Sequence, residues 1–128
     1  MSLETKQNGI ISQIKEQRSY RFDNGYVLAE YPASSGNYFS CSVESQDNWS
    51  KLSSLDSRGL VSYPFEVTTN DERETYDIVD SSDLSAIMLA ISTAVFTERA
   101  FAKTYIDAVL AAPDEASAIL AAQPYLEL

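Results

Sequence analysis

Histidine is absent from this chain of 128 residues, and cysteine occurs once, at Cys41. The first absence removes the commonest general base and the commonest nitrogen ligand for metals. A single thiol excludes an intramolecular disulfide, which suits a reducing compartment. No His or Lys lies near Cys41 in sequence to lower its pKa, so it reads as a small strand residue rather than a reactive thiol. With only four glycines there is neither a dinucleotide fingerprint nor a Walker loop. No Gly-x-Ser-x-Gly elbow occurs, and without histidine the usual serine triad cannot form. A Ser–Lys dyad on Lys15, Lys51 or Lys103 is compatible with the composition, but no spacing selects it. No run of eighteen or more apolar residues occurs, so nothing is expected to cross a membrane. The polar start, Met1 to Gln7, lacks the apolar segment of a signal peptide, and residues 1–3 have the look of an appended start.

Positive charge is scarce. Nine Lys and Arg face nineteen Asp and Glu, a net charge of -10. The imbalance sits in the second half, where residues 65–128 carry three basic and twelve acidic side chains. Such a chain repels phosphate backbones and anionic lipid surfaces, so nucleic acid and membrane are not expected partners. The length is one domain's worth, and 45% hydrophobic content is ordinary for a globular protein. One α+β domain over residues 1–128 is expected.

What the chain does have is one long helical stretch, from Asp80 to Ala112, without Gly or Pro and rich in Ala, Leu, Ile and Met. Asp80 is placed to cap it, with Asp83 at the third helical position and Val79 and Leu84 set for a hydrophobic staple. Pro113 ends it. At about 1.5 Å per residue the rod is roughly 45–50 Å long, more than the ~26–30 Å across a compact domain of this size.

The remaining elements are shorter. Ile10, Ile11 and Ile14 predict an amphipathic helix starting after Asn8-Gly9 and reaching Arg18. Asp23-Asn24-Gly25 predicts a hairpin turn between the runs Tyr20–Phe22 and Tyr26–Tyr31. A loop over 32–37 leads to a strand at Tyr38–Ser42. Ser42 or Ser45 then caps a helix that turns Val43, Trp49, Leu52 and Leu55 inward and stops at Gly59. Two strands follow, Tyr63–Thr69 and Thr75–Val79, joined through 70–73. A last helix over Glu115–Ala122 is closed by Pro124. The expected fold is a small antiparallel sheet of two hairpin-like units, packed with the long helix and shorter ones.

Two acidic groupings invite a chemical reading. Asp80 and Asp83 are explained by capping and by the helix dipole. Asp71, Glu72, Glu74 and Asp77 lack calcium-loop spacing and read as a solvated hairpin tip. Tyr20, Phe22, Tyr26, Tyr31, Tyr38 and Phe39 crowd the first hairpin, where they either cover the sheet or meet a partner. No cofactor, metal or catalytic residue is expected. On the long helix, Leu84, Met88, Ile91, Val95, Ala102, Ile106 and Val109 share one stripe. Leu89, Phe96 and Leu110, spaced by seven and fourteen residues, form a second seam interrupted by Lys103. Either the chain's own terminal helices cover that seam or a second subunit does.

The stretches Ile14–Arg18, Gly25–Val27 and Phe39–Gln46, followed by Phe65 to Val109, resemble a domain-of-unknown-function family of bacteriophage and prophage tail-fibre and tail-assembly proteins. That family has a helix with Ile-Lys-x-x-Arg, a glycine-started strand, and an aromatic-led strand running into a serine-containing helix. A strand pair and a long Ala-rich helix complete it. This chain has Asn24-Gly25 where Gly-Gly is common. The resemblance implies a structural or assembly protein without catalytic residues, self-associating or bound to other tail proteins. It would reside in the bacterial cytoplasm during assembly or in the virion. The alternative is a small acidic bacterial adaptor that binds a basic partner protein.

Overall fold

The computed structural model describes residues 1–69 and 75–128. The fold is α+β. Among these residues the elements run α1 (Leu3–Asp23), β1 (Leu28–Glu30), β2 (Tyr38–Ser40), α2 (Val43–Ser57), β3 (Phe65–Thr68), β4 (Thr75–Ile78), α3 (Ser81–Ala111) and α4 (Glu115–Leu126). The strands form two separate antiparallel pairs, β1 with β2 and β3 with β4. The chain divides into two compact units, each with its own core.

The helical unit comprises Met1–Arg21 and Phe96–Leu128. Helix α1 begins at Leu3, well before the expected start, because Ser2 caps it: its hydroxyl accepts the Thr5 amide at 3.2 Å. Gly9 lies inside the helix. The inward stripe of α1 is only partly apolar. Ile10 and Ile14 enter a core with Ala102, Val109, Ala118, Ala122 and Tyr125. Gln7 and Gln17 on the same stripe close helix ends instead. Gln7 donates to the carbonyls of Val109 and Ala112 at the end of α3 (3.1 and 3.2 Å), and Gln17 to those of Tyr125 and Leu128 at the end of α4 (3.4 and 3.1 Å). Carbonyls at helix ends have no partner within the helix, so these bonds satisfy groups that burial would otherwise leave orphaned. Asp114 caps α4 by accepting the Ser117 amide at 2.8 Å. Pro124 does not close α4 as expected. It sits inside a helix that continues to Leu126, carried by the Glu127 amide on the Gln123 carbonyl at 3.0 Å.

The mixed unit spans Phe22–Val95. Tyr20–Phe22 is not a strand. It forms the last turn of α1, and Gly25, at φ 77°, follows the helix end where a left-handed residue is favoured. The expected turn at 23–25 is therefore a helix stop, and β1 pairs onward with β2, Ala29 opposite Phe39. Glu30 organises the connecting loop. Its carboxylate accepts the amides of Gly36 and Ser34, both at 3.0 Å, and these bonds hold its pKa below the usual carboxylate value.

Helix α2 starts and stops as its sequence reads. Ser42 accepts the Ser45 amide at 3.1 Å. At the other end Gly59, at φ 69°, donates to Asp56 and Leu60 donates to Leu55, the paired bonds of a Schellman stop. Its inward face is narrower than expected. Trp49 and Leu52 pack on the core, while Val43 and Leu55 are exposed. In the second pair Phe65 lies opposite Ile78 and Val67 opposite Tyr76. The turn at 70–73, and all but Asp77 of the acidic grouping expected there, lie outside the described residues. The core gathers Phe22, Ala29, Phe39, Cys41 and Ile78 under Leu84, Ile87, Ile91 and Val95 of α3.

Candidate functional site

Helix α3 carries the side chains that the rest of the sequence leaves unexplained. Its inward stripe is close to expectation, with Leu84, Ile91, Val95, Ala102 and Val109 buried and Ile87 added. Met88 and Ile106 are half-buried. The second seam is uncovered: Leu89 is 68% exposed, Phe96 70% and Leu110 54%. Lys103 between them is exposed and pairs with Asp107 at 2.7 Å. By length and composition alone α3 is long and apolar enough to cross a membrane. The core helix of a globular protein passes the same test, and α3 supplies four core residues to the mixed unit alone.

Each half of α3 also holds a carboxylate in place. At the helix start Asp80 accepts the Asp83 amide at 2.8 Å, the capping geometry expected, although Val79 stays exposed and leaves little of the staple. Asp83 accepts the hydroxyls of Tyr31 and Tyr76 on one oxygen, at 2.9 and 2.8 Å, and the Val79 amide on the other, at 3.1 Å. The Asp83 bond is the main cause of the raised Tyr31 pKa, whereas burial leads for Tyr76. Beside them Asp56 accepts the hydroxyls of Tyr63 (2.6 Å) and Ser81 (2.8 Å). Capping and helix-start bonds therefore account for Asp80 and Asp83, and Tyr31, expected either to cover the sheet or to meet a partner, joins Tyr76 in anchoring the start of α3.

Glu98 was not legible as an inward residue. It is 7% exposed, accepts a forked pair of bonds from Arg21 at 2.9 and 3.1 Å, and takes the Tyr125 hydroxyl at 2.6 Å. Burial first, and Glu98 second, push the Tyr125 pKa upward, and the carboxylate raises that of Arg21. Its position among the buried residues of α3 was the one available signal, since the helical period aligns it with Val95 and Ala102.

Cys41 is fully buried, and burial pushes its thiol up to about 11. Neither Lys15, Lys51 nor Lys103 bonds to a serine among the described residues. No described cluster of acids and cysteine could hold a metal ion. Of the first-hairpin aromatics, Phe22 and Phe39 are buried, whereas Tyr20, Tyr26 and Tyr38 are exposed.

In the mixed unit a groove of about 310 Å³ is lined by Trp49, Leu52 and Leu55 of α2 and by Phe65 and Val67 of β3, with Asn48 and Lys51 as its polar members. Lys51 makes no ion pair or hydrogen bond with the described residues.

No protein-family model, curated protein or solved structure matches the chain. The tail-protein resemblance therefore rests on the short stretches that carry it.

Proposed function

We propose that this is a structural or assembly protein of the phage-tail kind, which works through protein–protein contacts and associates with a second copy of itself along α3. The observation that carries the reading is the exposure of Leu89, Phe96 and Leu110 on one helix. Burying Phe96 alone would contribute roughly 2–3 kcal/mol. Charge favours a like partner at this surface. Residues 84–111 hold two acidic and two basic side chains, so the net charge of -10 lies entirely elsewhere. Two copies can meet there without the repulsion that the rest of the surface imposes. A non-enzymatic role is supported by the lack of histidine, the inert thiol of Cys41 and the internal pairing of Asp83 and Glu98.

Phe96→Asp should dissociate the assembly while circular dichroism keeps the wild-type helix content. Sedimentation of wild type and variant reads the result, and a wild type that stays monomeric at high concentration defeats self-association. In that outcome the acidic adaptor becomes the better reading, because the charge outside α3 suits a basic partner protein. Tail-fibre or baseplate genes flanking the coding sequence are expected on the phage reading, and their absence counts against it.

A further inference from the structure

The groove between α2 and β3 shares no lining residue with the α3 seam; Trp49, Leu52 and Val67 at its base pack on the core, while Leu55 and Phe65 at its walls do not. Its walls are apolar on both sides. Leu55 and Phe65 remain 41% and 36% exposed there, in a unit that buries Phe22, Phe39 and Ile78 almost completely. Lys51 stands beside that apolar surface with no partner among the described residues, in a chain whose acids outnumber its bases nineteen to nine. Lys6, Arg21 and Lys103 find carboxylates, whereas Lys51, like Lys15, Arg18, Arg58 and Arg99, has none among the described residues. Asn48, one turn earlier on the same helix, adds an amide donor to the same side.

We propose that the groove binds a small amphipathic carboxylate, its apolar body on Trp49, Leu52, Leu55, Phe65 and Val67 and its head group on Lys51. Small-ligand sites combine a mostly apolar lining with few polar groups that fix orientation, and this groove has that composition. Its volume of about 310 Å³, at the ~30 Å³ that one water takes in the liquid, suits a body of on the order of ten heavy atoms. The sign of the head group is the informative point. A net charge of -10 alone would favour a cationic ligand, so a preference for the anion isolates the contribution of Lys51.

Trp49 is the only tryptophan in the chain and lines the groove, so its fluorescence reports occupancy directly. Titration with octanoate, 1-octanol and octylammonium at neutral pH should give saturable changes, with octanoate binding about two- to fivefold tighter than the alcohol, as expected of a solvent-exposed ion pair, and octylammonium weakest. Lys51→Met should remove the octanoate advantage and leave octanol binding unchanged, whereas Lys51→Arg should keep the advantage. Leu55→Asp, at an exposed wall position, should abolish binding of both while circular dichroism stays wild type. The proposal is overturned if Trp49 emission shows no saturable response, if octylammonium binds as well as octanoate, or if Lys51→Met keeps the octanoate preference. Each of these readouts is independent of the oligomeric state on which the α3 reading depends.

Discussion

Glu98 in the helical unit and Asp83 in the mixed unit are both carboxylates of α3 that accept tyrosine hydroxyls. Glu98 is buried and meets a full countercharge in Arg21, with both its oxygens committed. Asp83 is half-buried at a helix start and answers two tyrosines and a backbone amide, with no cation among the described residues. A buried ion depends on its partner, because removing one member leaves the other desolvated and unpaired. The partners of a carboxylate at a helix start can turn to water instead. The same residue class on the same helix should therefore differ several-fold in its contribution to stability.

The largest expected effect tests that directly. Glu98→Ala strands Arg21 and the Tyr125 hydroxyl and should cost about 3–5 kcal/mol in urea unfolding. Asp83→Ala leaves the Asp80 cap bond in place and loses the Val79 amide bond and two hydroxyl bonds, and should cost about 1–2 kcal/mol. Equal losses would erase the distinction between the buried pair and the helix-start carboxylate.

Alkaline pH sharpens the comparison from the tyrosine side. Tyr31, Tyr76 and Tyr125 all have pKa values raised above the ordinary value of 10.0. A raised folded pKa stabilises fully below the unfolded value and is lost as pH climbs above it. Stability should hold to about pH 10 and fall beyond it. Tyr76→Phe and Tyr125→Phe should each make that fall shallower, by removing one contribution from each unit. Urea melts on both sides of pH 10 check this, and a wild-type curve that stays flat would contradict it.

The smallest effect concerns α1. A Cβ added at Gly9 meets nothing within 4 Å. Gly9→Ala should raise stability by about 0.5–1 kcal/mol, because alanine loses less backbone freedom in a helix interior. Thermal melting reads it, and a loss of stability would mean that Gly9 is not helical in solution.

Features that depend on a single turn of chain were legible in advance. The limits of α3, a serine cap (Ser42 or Ser45) and the Gly59 stop of α2, the strands near Phe65 and Thr75, and the separation of Leu89, Phe96 and Leu110 from the buried stripe all follow from helical period, capping and alternation. Those rules act between residues at most about four apart in a helix.

Tertiary structure decided what depends on distant partners. Tyr20–Phe22 has strand-prone composition, yet burial of Phe22 in the core draws it into α1, since β preference is largely a packing preference. Gln7 and Gln17 interrupt the apolar stripe of α1 and read as surface, until carbonyls about a hundred residues away receive their amides. Glu98 reads as solvated until Arg21 and Tyr125 are seen beside it. The groove behind Lys51 exists only once α2 and β3 are brought together. A polar side chain turns inward only where its hydrogen bonds are met, and that condition is set by residues far along the chain.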